Sequence, residues 1–177
     1  AHGHHKLVKE AIRRIKNEVT GQVDLLVGNI STGESARDLC EWGADGLRIG
    51  IGGGSLCSTR IQTGVGVPMV SSILSCVAVT DGYDVPCMAD GGIRSSGDVC
   101  KGLGAGADTV MLGSLLSGTK ESPGGTIIYE GRKYKTYRGM GSIEAMQKGS
   151  KDRYFQDSIN DTNKLVPEGV VGRVPYK

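Results

Sequence analysis

Residues 85–116 read VPCMADGGIRSSGDVCKGLGAGADTVMLGSLL, two apolar runs around a helical segment. Val85–Ala89 and Thr109–Leu112 are short apolar runs, and between them Ser96–Leu103 has helical character. Short continuous apolar runs suit strands buried on both faces, and a helix between two such strands makes them parallel neighbours. Each run ends in glycine, Asp90-Gly91-Gly92 after the first and Gly113-Ser114 after the second. Ligands of parallel sheets sit beyond the C-terminal ends of the strands, so these glycines fall where chemistry is expected.

The same alternation continues upstream. Residues 5–19 (HKLVKEAIRRIKNEV) place Leu7, Val8, Ala11, Ile12, Ile15 and Val19 on one face of a helix, with Lys and Arg opposite. Asp24–Gly28 reads as a strand, and Thr32–Trp42 as a helix that Thr32 or Ser31 can cap. Gly46–Gly50 is the next strand and Met69–Ala78 the next helix. The strand ends Gly28-Asn29, Gly50-Ile51-Gly52-Gly53-Gly54-Ser55, Asp90-Gly91-Gly92 and Gly113-Ser114 together form one expected binding rim, since glycine lets a ligand approach the backbone. Downstream the period changes. Thr126–Tyr137 alternates around Glu130-Gly131, a hairpin signal. Arg138-Gly139-Met140-Gly141-Ser142 then leads into a short helix near Ile143–Lys148, and the polar stretch from Gly149 onward reads as a mobile loop. The expected division is 1–116 for the βα units, 117–148 for the hairpin and short helix, and 149–177 for a flap.

Composition narrows the function. The 29 glycines among 177 residues follow no collagen period and lie among aliphatic runs, which excludes fibres and flexible linkers. With Lys plus Arg at 21 and Asp plus Glu at 19, the net charge of +2 does not indicate nucleic acid or an acidic membrane as partner. No apolar run approaches the roughly 20 residues of a membrane span, and a soluble, cytoplasmic protein is the expectation. Five cysteines without C-x-x-C spacing argue against a disulfide framework or a structural zinc site, and His2, His4 and His5 lack metal-ligand spacing.

Backbone N–H groups at the last two strand ends suit a phosphate. Asp90 would repel that anion and suits ligand hydroxyls instead, as an acidic residue serves a ribose diol. Cys57 lies in GIGGGSLCSTR, where backbone amides and nearby Arg60 supply the conditions for a thiolate nucleophile. Cys40, Cys76, Cys87 and Cys100 read as buried structural residues. Arg153-Tyr154 reads as a solvated pair, or as a pair that a folding loop delivers to a reaction.

Six blocks in order, Gly50–Arg60, Met88–Arg94 (MADGGIR), Val110–Leu116 (VMLGSLL), Tyr137–Ser142 (YRGMGS), Asp152–Gln156 (DRYFQ) and Leu165–Gly169 (LVPEG), cover essentially the whole chain. Through them the sequence resembles the inosine-5'-monophosphate dehydrogenase family. The resemblance implies an α/β TIM (β/α)8 barrel, of which this chain supplies the C-terminal half with a β-hairpin and mobile flap, as a piece of a longer polypeptide. It also implies an oxidoreductase that converts IMP to XMP with NAD, the committed step of purine biosynthesis toward GMP.

Residue roles follow from the same resemblance. Cys57 attacks the purine to form a covalent thioimidate. Arg153 activates the hydrolytic water, with Tyr154 and Thr59 in its hydrogen-bond network. IMP falls to Ser55, Asp90, Gly91, Gly92, Gly113, Ser114, Tyr137, Arg138, Gly139, Met140, Gly141 and Glu168. NAD meets Asn29, Arg48, Gly50, Ile51 and Gly52. Carbonyls of Gly52, Gly54 and Cys57 bind a potassium ion, and the assembly is a homotetramer. The alternatives are a GMP reductase, which lacks the hydrolytic flap, and a non-catalytic nucleotide-binding fragment.

Overall fold

The computed structural model describes residues 2–19 and 23–177. The elements in chain order are α1 (Lys6–Glu18), β1 (Leu26–Ile30), α2 (Gly33–Trp42), β2 (Gly46–Ile49), α3 (Thr59–Thr63), α4 (Met69–Thr80), β3 (Cys87–Asp90), α5 (Ser96–Gly104), β4 (Thr109–Met111), α6 (Ser114–Ser117), β5 (Thr126–Tyr129), β6 (Arg132–Arg138), α7 (Ile143–Ala145) and β7 (Val171–Pro175). The chain divides into two compact units, Ala1–Gly53 with Gly66–Met111, and Gly54–Val65 with Leu112–Lys177. No helix among the described residues is long and apolar enough to cross a membrane.

The first unit is a parallel sheet in the order β1-β2-β3-β4, with Leu47 opposite Cys87 and Ala89 opposite Val110. Leu47, Ile49, Cys87 and Ala89 are buried, and Ile12, Leu39, Ile73 and Cys76 from the helices close over them. A fully buried Leu or Ile contributes about 1.5–3 kcal/mol each, so this cluster is the stabilising core of the unit. Thr32 caps α2 by accepting from the Ser35 N–H. The helix α1 forms as expected, but of its apolar face only Ile12 is buried, with Val8 half-buried and Leu7, Ala11 and Ile15 exposed.

β1 starts two residues later than Asp24–Gly28, because Leu25 is occupied before the ladder begins. Its N–H donates to Asp45 Oδ2 at 2.6 Å, and its carbonyl accepts from the N–H groups of Asp45 and Gly46. Register therefore opens at Leu26 opposite Gly46. The cysteine expectation also needs correction: Cys76 and Cys87 are buried, whereas Cys40 is half-buried and Cys100 exposed. Cys100 occupies an outward position of α5, whose one buried residue is Gly102.

The second unit is built on an antiparallel sheet in the order β5-β6-β7. The hairpin turns at Glu130-Gly131, both at positive φ (48° and 73°), as a two-residue turn matched to strand twist demands. The reading of 149–177 as loop throughout is corrected by β7, which pairs along β6 from Tyr134 opposite Pro175 to Arg138 opposite Val171. Its period of two was hidden by Gly172 and Pro175. Lys135 is buried on β6, and its ammonium donates to the carbonyls of Thr119, Lys120 and Ser122, which folds the 119–122 loop onto the strand. Gln156 exchanges two hydrogen bonds with the Val166 backbone, at 3.0 and 2.8 Å, and closes the loop between them.

Candidate functional site

In the first unit the C-terminal ends of three strands meet on one carboxylate. Asn29, in β1, donates one amide hydrogen to Gly50 O and the other to Asp90 Oδ2, both at 2.7 Å. Arg48, in β2, donates from Nε to the same Oδ2 at 2.8 Å, with Nη2 also 2.8 Å away. Asp90 closes β3, and both charged side chains are partly exposed (28% for Arg48, 20% for Asp90), which leaves their edges open to a ligand. The close approach needs Gly50: at φ 125°, a Cβ there would lie 2.3 Å from Asp90 O. Gly52, Gly91 and Gly92 also take positive φ.

In the second unit the cysteine loop is woven into the tail. Cys57 forms an antiparallel bridge with Gly169, Ser58 N–H donates to Glu168 O, and Val170 N–H donates to Leu56 O. The YRGMG turn pairs with the same segment, Gly139 N–H donating to Val170 O and Glu168 N–H to Gly141 O. Residues 168–170 thus hold both the cysteine loop and the turn. Ser55 and Tyr137 share a short hydroxyl–hydroxyl hydrogen bond. Gly113 and Ser114 open α6, where Ser114 O accepts from Ser117 Oγ. Arg138 and Met140 are exposed beside the turn, and Ser150 Oγ donates to Met140 O at 2.6 Å.

Cys57 is exposed, and its S–H donates to Thr59 Oγ1 at 3.2 Å. Thr59, 7% exposed, donates in turn to Glu168 Oε2 at 2.7 Å. The donors point one way, from thiol to hydroxyl to carboxylate, which is the arrangement for drawing a proton away from sulfur. Arg153 and Tyr154 lie in a single helical turn, Asp152–Tyr154. Burial pushes the Tyr154 phenol up from its ordinary value; Arg153 opposes the shift, while Cys57 and Glu168 add to it. Gly141 makes room for this ring, since a Cβ there would fall 2.9 Å from Tyr154 Cζ.

Cys57, Thr59, Tyr154, Gly141 and Glu168 are therefore neighbours, and Ser55 joins Tyr137. Glu168, expected on the substrate, is engaged by Thr59. Sequence reasoning missed Leu56, Ser58 and Gly169, which act through backbone groups and carry no side-chain signal. Among the described residues no group of three or more His, Cys, Asp and Glu is arranged to hold a metal ion.

Residues 1–177 match the family model described as IMP dehydrogenase / GMP reductase domain. The chain is 56% identical over 177 residues to an inosine-5'-monophosphate dehydrogenase of Helicobacter pylori (strain ATCC 700392 / 26695), covering 100% of this chain and 36% of that protein. It is 54% identical to the enzyme of that name from Rhodopirellula baltica and 55% identical to one from Streptococcus pyogenes, covering 100% of this chain in both cases and 33% and 36% of those proteins. The chain thus spans about a third of the length of the relatives it matches. With the whole chain matched and a cysteine, an aspartate followed by two glycines and a YRGMG turn in order, this chain belongs to the IMP dehydrogenase / GMP reductase family.

Proposed function

We propose that the complete protein carrying this chain oxidises IMP to XMP with NAD. The hydrogen-bond run from Cys57 through Thr59 to Glu168 carries this reading, because it supplies an exposed nucleophile with a directed path for its proton. In the reaction Cys57 Sγ loses its proton and bonds to C2 of the purine. NAD, held at Asn29, Arg48, Gly50, Ile51 and Gly52, would supply the acceptor for the hydride that leaves C2. A thioimidate remains on Cys57; water adds at C2, the C–S bond breaks, and XMP and the cysteine are released. The sum is IMP, NAD+ and water giving XMP, NADH and a proton.

Arg153 and Tyr154 are the residues we assign to the water, and the place of Tyr154 beside Arg153, Cys57 and Glu168 supports the hydrolytic half-reaction. A GMP reductase needs no such step. Ser55, Tyr137, Gly113 and Ser114 offer hydroxyl and backbone donors to the phosphate, with Gly91 and Gly92 as further backbone donors. Arg138, Gly139, Met140 and Gly141 frame the nucleotide.

The donor set at Asn29 and Arg48 fits a nicotinamide. Both Asn29 amide hydrogens are used within the protein, leaving Oδ1 to accept from a carboxamide, and Arg48 retains further N–H donors. Gly50, Ile51 and Gly52 line the same strand end. For a potassium ion the ligands would be the carbonyls of Gly52, Gly54 and Cys57. Gly54 O accepts the Cys57 N–H at 3.1 Å and keeps a second lone pair, and a hard cation there would order the cysteine loop. The four parallel strands with glycine-rich ends support a place for the sheet in an eight-stranded barrel.

The test is spectrophotometric. NADH should form when the complete protein meets IMP and NAD, and turnover of GMP with NADPH in its place would overturn the proposal.

A further inference from the structure

We infer that Arg48 and Asn29 are positioning residues for the substrate ribose, in addition to any contact they make with a cofactor. The inference rests on the proposed IMP reading and extends it to residues outside the substrate set. Asp90 stands at the end of β3, where a lone carboxylate can rotate and can direct either oxygen at a ligand. Its Oδ2 is loaded from two strands, by Asn29 Nδ2 at 2.7 Å and by Arg48 Nε and Nη2 at 2.8 Å. Asn29 is itself fixed, since its second amide hydrogen goes to Gly50 O at 2.7 Å. Gly50 lies against the Asp90 backbone, so the frame closes on the residue it orients.

Two consequences follow. Charge-assisted bonds lock the carboxylate plane and assign Oδ1 to the ligand hydroxyls. With Oδ2 occupied, both lone pairs of Oδ1 are left to the two hydroxyls of a diol. Preorganised in this way, the carboxylate loses less freedom when ribose binds. IMP affinity then depends on two side chains that need not touch IMP, and this dependence exists without NAD.

The test is equilibrium binding to the complete protein in the absence of NAD, with IMP and with 2',3'-dideoxy-IMP, which lacks both hydroxyls. The wild-type protein should prefer IMP by about tenfold or more, the size of hydrogen bonds to a charged acceptor. Arg48→Leu and Asn29→Ala should each weaken IMP severalfold and shrink that preference toward unity, leaving dideoxy-IMP binding within about twofold; Arg48→Lys should restore part of it. Unchanged IMP affinity in both variants, or an equal loss for the two nucleotides, overturns the positioning role. A wild-type protein with no preference between the two nucleotides overturns instead the assignment of Asp90 to the ribose, and with it the reading on which the inference rests.

Discussion

Thr59 donates its hydroxyl hydrogen to Glu168 Oε2 at 2.7 Å, across 109 positions of sequence, while accepting from the Cys57 thiol at 3.2 Å. A single hydroxyl therefore stands between the thiol of one loop and a carboxylate of the tail. Threonine suits the place because it donates and accepts at once, and because its β-branch restricts χ1.

Removing that hydroxyl should cost chemistry rather than fold. Thr59→Val should lower kcat/KM for IMP by about a hundredfold, the scale of a lost general acid–base relay, and Thr59→Ser should keep most of the rate. Steady-state kinetics of the two variants check this, with thermal melting as the control for folding.

Arg153→Ala should separate the two half-reactions. A rapid burst of NADH is expected to survive while steady-state XMP release slows by about a hundredfold or more, since the proposed role confines this residue to the water step. Stopped-flow traces read both phases in one experiment, and equal loss of burst and steady state would contradict the assigned role.

Gly141→Ala should act on the same step from a distance. The added Cβ would meet the Tyr154 ring at 2.9 Å and the Glu168 carbonyl carbon at 3.0 Å, neither of which can yield without moving the Asp152–Tyr154 turn or the paired 168–170 segment. The expected signature is a lower kcat with an intact burst, measured beside Arg153→Ala for comparison.

The first unit offers a pH test of stability. Asp45 is held below its ordinary 3.8 by the hydrogen bond from Lys16, and next by the Leu25 N–H. A depressed carboxylate contributes stability that is fully present above its unfolded value and is lost as pH falls through its folded value. Asp45→Asn should therefore be less stable than wild type near neutrality, with the difference closing below about pH 4. Urea unfolding at a series of pH values measures it, and a difference that persists or grows in acid would refute the pairing.

Much of this was legible in the residues. Val85–Ala89 and Thr109–Leu112 gave two parallel strands because continuous burial leaves a continuous apolar run, and Glu130-Gly131 marked the hairpin because few residues tolerate positive φ. The start of β1 was displaced because Asp45, twenty positions away, captures Leu25, a tertiary bond without local signature. Strand β7 escaped because Gly172 and Pro175 weaken its pattern and its pairing partner is distant. At the site, Cys57 could be singled out from its glycine-rich loop, and Thr59 and Arg153-Tyr154 came through family resemblance. That Glu168 would engage Thr59 follows only from the weaving of 168–170 between the cysteine loop and the YRGMG turn, which is made of backbone bonds.

Cys57→Ala should abolish turnover while IMP binding is largely retained, because the other proposed substrate contacts remain. Covalent catalysis at Cys57 is read out by mass spectrometry of the complete Arg153→Ala protein quenched during turnover with IMP and NAD. A purine nucleotide adduct on the peptide that contains Cys57 is predicted; NADH formation with that peptide unmodified throughout would rule out the thioimidate.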